Sequence, residues 1–273
     1  MRKTAIITGA NAGLGFEVAR KFLTDRVDLV MGSRSLDKGE AARQRLLLEF
    51  PEARIELVRL DLSDFESIES FAKQAGVQWD FLVNNAGAKI ESPYKQTAQG
   101  HEWHLGVNHL GHFALTKALW PKASLAATVV TVSSIVARRG KLDLNPTKEI
   151  SAGAAYANSK LMNYAFATIL AERITLTQRK SNAAHPGFAR ANAYGNSFVR
   201  FGEYILAQSA ESGARPISAA CHSENGSYLA PKNFELWGRS KFAKRPELNQ
   251  LELSDFWSRS EELTGGVFNP SGN

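Results

Sequence analysis

The residues best placed to do chemistry are Tyr156 and Lys160, in the run Tyr156-Ala157-Asn158-Ser159-Lys160, downstream of the pair Ser133-Ser134. A tyrosine is a poor acid at neutral pH, with a reference pKa of about 10. A protein that uses one for proton transfer has to stabilise the phenolate, and a lysine four residues along a helix stands on the same face. An ammonium roughly 4 Å away in a partly shielded site is worth about 4 kcal/mol, or about three pKa units. The spacing therefore predicts a tyrosine brought towards the working pH, where a general acid is most effective. Together with a glycine-rich run near the N-terminus, Thr8-Gly9-Ala10-Asn11-Ala12-Gly13-Leu14-Gly15, the pair points to redox chemistry.

The elements that must position these residues follow a simple alternation. The glycine-rich run lies between an apolar strand, Ala5-Ile6-Ile7, and an amphipathic helix expected over residues 13–25. Glycines there permit a tight turn and bring a pyrophosphate up to the helix N-terminus. Its spacing is G-x-x-x-G-x-G, and Gly9, Asn11, Gly13, Leu14 and Gly15 are the candidate contacts. Further strands are expected at 29–31, 55–58, 81–83, 127–132 and about 181–185. Helices are expected at 37–50, from Ser63 as N-cap with Glu66 closing a capping box, at 99–119, and from Tyr156 towards 177. The pattern is that of an α/β fold, a single Rossmann-type doubly wound parallel sheet with helices on both faces.

In such a sheet a nucleotide lies across the carboxyl ends of the strands. Asp61-Leu62, after the third strand, would meet the adenine, and Asn84-Asn85-Ala86-Gly87, after the fourth, would support the adenosine ribose. After the second strand a carboxylate would bind the ribose 2′-hydroxyl, whereas an arginine accommodates a 2′-phosphate. The residues there are Gly32-Ser33-Arg34-Ser35. NADPH is thus expected in preference to NADH, with Ser33 and Arg34 at the phosphate and the guanidinium acting as a planar fork.

At 273 residues and 44% hydrophobic content, the chain can form one domain over 1–273. The single cysteine, Cys221, excludes an intrachain disulfide framework and reads as a small packed residue. Met1-Arg2-Lys3-Thr4 leads straight into a strand, without the regions of a signal peptide, and no apolar run approaches the roughly 20 residues needed to span a bilayer. A soluble, cytoplasmic protein is expected. The net charge of +6 is spread along the chain, with local patches at Arg138-Arg139 and Lys241-Phe242-Ala243-Lys244-Arg245. That suits a phosphate-rich cofactor rather than nucleic acid. Four histidines, His101, His104, His109 and His112, lie close together but lack the His-Glu-x-x-His spacing, so no metal site is assigned.

From Thr4 to about Ala191 the chain resembles the short-chain dehydrogenase/reductase family. The N-terminal loop, Asn84-Asn85-Ala86-Gly87, Asn108, Ser134, Tyr156 and Lys160 match it in order. Within the family it is most similar to the retinol dehydrogenase and WW-domain oxidoreductase branch. That likeness rests on Ser33-Arg34-Ser35-Leu36-Asp37-Lys38-Gly39, Val107-Asn108-His109-Leu110-Gly111-His112-Phe113, and Val132-Ser133-Ser134 followed by Arg139-Gly140-Lys141-Leu142. The resemblance implies that Ser134 hydrogen-bonds the substrate oxygen and Tyr156 transfers the proton. It also implies that Lys160 holds the nicotinamide ribose, Asn108 supports a water linking the lysine to solvent, and Pro186-Gly187 contacts the nicotinamide carboxamide. Ala191 stands where the family commonly has threonine, so that contact is missing or replaced by Asn192. A homodimer through the helices carrying Asn108 and Tyr156 is a further implication, although small residues such as Ala165, Ala167 and Ala171 would suit a monomer's core equally well.

Substrate recognition is expected from a lid segment at about 188–215, containing Phe188, Tyr194, Phe198, Phe201, Tyr204 and Ile205. The i,i+3,i+7 spacing of Phe198, Phe201 and Ile205 suits an amphipathic helix over the site. The expected activity is NADP(H)-dependent hydride transfer between nicotinamide and the carbonyl or alcohol of a moderately hydrophobic small molecule. The alternative is an NADPH-binding regulator or scaffold without turnover, which would have no need of the whole Asn-Ser-Tyr-Lys set.

Overall fold

The computed structural model describes residues 2–88, 94–146, 148–187 and 208–271. Its strands are β1 (Thr4–Thr8), β2 (Asp28–Ser33), β3 (Ile55–Arg59), β4 (Trp79–Asn84), β5 (Ala123–Val132), β6 (Lys180–Ala184), β7 (Tyr228–Asn233) and β8 (Trp237–Phe242). They form one sheet in the order β3-β2-β1-β4-β5-β6-β7-β8. The pairings from β3 to β7 are parallel, and β8 closes the edge antiparallel to β7. The strand order reverses between β1 and β4, which opens the crevice in which such sheets bind ligands.

The helices are α1 (Gly13–Thr24), α2 (Leu36–Glu49), α3 (Phe65–Gln74), α4 (Gly111–Leu119), α5 (Ala152–Arg173), α6 (Ala210–Ala220) and α7 (Gln250–Leu263). Successive strand residues point to opposite faces, and both faces are covered. Ile6, Val30 and Leu82 pack under the α3, α4, α5 and α7 layer, whereas Ile7, Met31 and Val83 pack under α1, α2 and α6. This is why the strands read as unbroken apolar runs.

Several boundaries differ from the sequence expectation. The N-cap of α3 is Asp64, which accepts from Glu66 N, while the Ser63 hydroxyl donates to Asp61 Oδ1 at 2.7 Å. The helix expected over 99–119 instead begins with a π-helical turn, Leu105–Leu110, that runs into α4. Helix α5 stops at Arg173 rather than near 177. Residues 188–207 of the expected lid lie outside the described residues, along with the aromatics assigned to it and Ala191 and Asn192. From Ala210 the chain forms α6, whose Ala214 and Ile217 are buried in the core with α1 residues.

Beyond Gly187 the sequence pattern was weak, and there the structure adds β7, β8 and α7. Helix α7 brings Phe256 and Trp257 onto α4 and α5, with Trp257 5.0 Å from Phe113 and stacked at 5.9 Å on Phe166. The C-terminal segment is tied down by Lys117 Nζ donating to Thr264 O at 2.9 Å and Trp120 Nε1 donating to Pro270 O at 3.1 Å. Among the described residues no helix is long and apolar enough to cross a membrane.

Candidate active site

The glycine-rich loop joins β1 to α1. The N-cap position of α1 is Ala12, with no side-chain cap and no acid in the first turn. The orphan N–H groups and positive end of the helix dipole therefore remain available to an anion. Gly9 takes φ +70° and donates its N–H to Gly32 O at 3.0 Å. A Cβ on Gly15 would stand 2.4 Å from Gly9 O and 2.5 Å from Asn85 Nδ2, so α1 starts directly against the loop. Asn11, Gly13 and Leu14 lie at the partly exposed start of α1.

A buried hydrogen-bond chain fixes this loop to the turn after β4. His112 Nδ1 lies 3.0 Å from Asn108 O, which can only accept, so Nδ1 carries the proton. His112 Nε2, 3.0 Å from Thr8 Oγ1, then accepts from the threonine hydroxyl. That leaves the hydroxyl oxygen to accept from Asn85 N at 3.0 Å and Ala86 N at 2.9 Å. Burial pushes the His112 pKa down to about 4, so the imidazole is neutral. Asn85 Nδ2 also donates to Thr8 O at 2.8 Å.

Helix α5 starts at Ser151, whose hydroxyl accepts from Ala154 N, and presents Tyr156 and Lys160 towards the ends of β4 and β5. The Tyr156 hydroxyl shares a hydrogen bond with Ser134, which follows β5. Lys160 Nζ donates to Val132 O at 3.1 Å and lies 5.7 Å from the centroid of the Tyr156 ring. The expected lowering of the tyrosine pKa is corrected by this arrangement. The ammonium faces the ring and a carbonyl, while burial raises the Tyr156 pKa and the Ser134 hydrogen bond only partly opposes it. Burial instead pushes Lys160 down to about 8.

Asn108 sits in the π-helical turn, a winding often found at functional sites. Its Oδ1 accepts from Ala88 N at 2.6 Å, and its Nδ2 donates to Ser159 Oγ at 2.9 Å and to Ala88 O at 3.2 Å. A Cβ on Gly87 would stand 3.1 Å from Asn108 Oδ1 and 3.4 Å from Lys160 Nζ. The bare backbone at Gly87 thus leaves a cradle beside both groups. Ser133, the first of the serine pair, is buried and donates to Lys160 O at 2.7 Å, so it steadies α5 while Ser134 meets the tyrosine.

The remaining expected contacts rim the same crevice. Ser33 is buried and donates to Ser35 O at 2.9 Å, whereas Arg34 is exposed just past β2. Among the described residues Arg34 forms no ion pair, which leaves its guanidinium available to a phosphate. Asp61 is half-buried and accepts from Ser63 N at 3.0 Å, and the Leu62 side chain is packed in the core. Pro186 and Gly187 follow β6, with Gln208 Nε2 donating to Pro186 O at 2.6 Å.

Two acids escaped sequence reasoning. Buried Glu102 accepts from Leu105 N at 2.8 Å and pairs with His104 Nδ1 at 2.7 Å. Burial opposes its charge, but the His104 and backbone hydrogen bonds hold its pKa below the usual carboxylate value. His104 in turn meets Tyr156 edge-on, with ring centroids 6.2 Å apart. Glu235, on the β7–β8 turn, pairs with Arg138, lies 3.2 Å from His185 Nε2 and accepts from Lys244 N at 2.8 Å. Arg138 is therefore a structural partner rather than a free anion-binding turn, and His185 Nδ1 accepts from Gly187 N at 3.2 Å. The other histidines diverge: His101 lies beside Phe65, and His109 is 2.9 Å from Ser260 Oγ on α7.

The uncapped helix start and the Gly87 cradle beside Lys160 suit the pyrophosphate and ribose of a dinucleotide. Residues 3–198 match the sequence profile of the short chain dehydrogenase family. The chain is 35% identical over 277 residues to Homo sapiens retinol dehydrogenase 12, covering 96% of this chain and 86% of that one. It is 31% identical over 283 residues to Homo sapiens retinol dehydrogenase 13, with coverage of 96% and 85%. A crystal structure of an uncharacterised protein from Mycobacterium paratuberculosis matches with a TM-score of 0.81 at 34% identity, covering 97% of this chain and 94% of the other. Salutaridine reductase from Papaver somniferum, 22% identical with a TM-score of 0.64 over 83% and 99% of the two chains, shares the fold.

Proposed function

The chain belongs to the short-chain dehydrogenase family and is an oxidoreductase of alcohols or carbonyls, and we propose that it uses NADP(H) on a moderately hydrophobic small molecule. The observation that carries this reading is the convergence of Ser134, Tyr156, Lys160 and Asn108 beside the bare backbone of Gly87. A bound nicotinamide supplies or accepts the hydride. In the reductive direction Tyr156, kept protonated by its raised pKa, gives its proton to the substrate oxygen while Ser134 donates a hydrogen bond to the same atom. Charge developing on that oxygen is stabilised by donors already in place.

Lys160, still largely an ammonium at neutral pH with its pKa near 8, holds the nicotinamide ribose. Asn108 keeps the Gly87-Ala88 backbone and Ser159 fixed around it. Arg34, exposed at the end of β2 with no acid beside it, takes the 2′-phosphate, and NADPH use favours reduction. The names of the retinol dehydrogenase relatives support an apolar alcohol or aldehyde such as a retinoid. A cytoplasmic location goes with this reading. A homodimer on α4 and α5 would have to form on the surface that α7 leaves uncovered.

The test is NADPH consumption against a panel of retinal, aromatic aldehydes and steroids. Tyr156→Phe is expected to lose turnover by at least about 100-fold while keeping NADPH affinity, and Arg34→Asp to shift preference towards NADH. Turnover surviving in the phenylalanine variant would remove the proton donor, and an unchanged cofactor ratio would remove the 2′-phosphate role. NADPH binding without turnover of any panel member would move weight to a cofactor-sensing protein.

A further inference from the structure

The β7–β8 hairpin forms the outer edge of the sheet and is rich in basic residues. Between residues 232 and 245 it carries Lys232, Arg239, Lys241, Lys244 and Arg245, all exposed. The one acid in that stretch, Glu235, is buried and bonded to Arg138, His185 and the Lys244 N–H. Among the described residues, the side chains of Lys232, Arg239, Lys241 and Lys244 form no ion pair or hydrogen bond. The edge is therefore a concentration of uncompensated positive charge.

Lysines on an edge strand discourage pairing with another sheet, which would explain Arg239 and Lys241 alone. They do not explain the two aromatics among them. Phe234, at the hairpin tip, is 85% exposed, and Phe242 is 73% exposed. Phe234 also takes φ +50°, a left-handed conformation that favours glycine or asparagine over a bulky side chain. An aromatic kept where both solvent and backbone disfavour it implies a gain made elsewhere.

We propose that this hairpin docks the protein on an anionic lipid surface, with Phe234 and Phe242 entering the interface and the flanking cations meeting the headgroups. Aromatic rings are suited to the level of the headgroups, and basic clusters are drawn to acidic lipids at roughly fivefold in affinity per charge. Single-stranded nucleic acid would use the same cations and rings, but it is held in positively charged grooves, whereas these residues line an outer sheet edge that a bilayer can meet. The tip stands at the same end of the sheet as the crevice. β7 runs parallel to β6, and a Cβ on Gly187 would lie 2.4 Å from Leu236 O. Phe242 and Lys241 pair with Leu229 and Ala230 towards the start of β7, so docking runs along the outer strand, with the tip at the crevice end; resting on the function proposed above, this sets the crevice beside the lipid for an apolar substrate.

The full chain is sedimented with phosphatidylcholine vesicles, with and without phosphatidylserine, at low and high salt. Binding is expected only to the serine-containing vesicles and should weaken with salt. The double variant Lys241→Glu, Lys244→Glu should bind at least about tenfold more weakly. Phe234→Asn should lose about tenfold while thermal stability is unchanged or higher, since asparagine suits the left-handed backbone. These readouts need no turnover, so they stand or fall apart from the catalytic assignment. The proposal is overturned by absence of binding to anionic vesicles at low salt, or by equal binding of wild type and Phe234→Asn. It is equally overturned by tighter binding to single-stranded RNA than to vesicles, or by self-association through the edge without lipid binding.

Discussion

Lys160 is the residue whose chemistry differs most from that of the free side chain. Its ammonium is buried against the Val132 carbonyl, and burial alone brings its pKa to about 8. The sign of the consequence is fixed. Below that value the side chain is a cation that donates to the ribose, and above it both charge and donor capacity are lost. NADPH affinity of the free protein should therefore fall as pH rises through about 8, well before an ordinary lysine titrates at about 10.4. Fluorescence titration of NADPH from pH 6 to 10 measures this. Lys160→Arg should move the fall beyond the measured range, because arginine stays protonated there. A pH-independent affinity in the wild type would show that the ammonium makes no contact with the cofactor. Tyr156 shifts in the opposite direction, so the alkaline limb belongs to the lysine, and the tyrosine remains a donor across that range.

At the scale of elements, the loop after β1 and the turn after β4 are joined through one hydroxyl. Thr8 Oγ1 donates to His112 Nε2 and accepts from Asn85 N and Ala86 N, which uses its full capacity. Thr8→Val would leave the buried His112 Nε2 and the part-buried Asn85 and Ala86 N–H groups without this partner, at up to about 1–3 kcal/mol each. Urea unfolding should show a loss of roughly 3 kcal/mol with weakened NADPH binding, and Thr8→Ser should restore both. An unaffected valine variant would mean that the turn finds other partners. The sheet, the glycine-rich loop and the tyrosine–lysine pair were legible because each is encoded in contiguous residues and in the strand–helix period. The role of His112 was not legible, since its partner Thr8 lies 104 residues away. Nor was that of Glu235, which meets Arg138 across 97 residues. The C-terminal third was hidden for a local reason: Pro216 lies inside α6 and Pro231 inside β7, and prolines normally mark the ends of such elements.

For the molecule as a whole, the stability of the α4–α5 layer depends on its C-terminal cover and on two neutral histidines beneath it. His109 lies against Phe256 at 4.8 Å between ring centroids, with Phe113 and Phe166 close by, and bonds Ser260 of α7. Burial pushes its pKa down to about 3, as it pushes His112 to about 4. In the unfolded chain both would titrate near 6.5. Between the folded and unfolded values the unfolded chain binds more protons, so stability rises with pH. The contribution is fully present above about 6.5 and is lost as pH falls towards the folded values. Between pH 6.5 and 5 each of these two histidines should therefore cost about 2 kcal/mol, and urea unfolding across that range should show stability rising with pH, with His101, His185 and His222, also shifted down by burial, adding to the slope. His109→Gln should reduce the slope by one proton even if it lowers stability at pH 7, because glutamine does not titrate. Removing residues from 250 onward should expose Phe113 and Phe166 and make the remainder self-associate, as read by sedimentation, whereas the full chain keeps that face covered by α7. A flat profile between pH 5 and 7 would mean that acid reaches these imidazoles in the folded protein, and the C-terminal helix would then be a loose cover rather than part of the core.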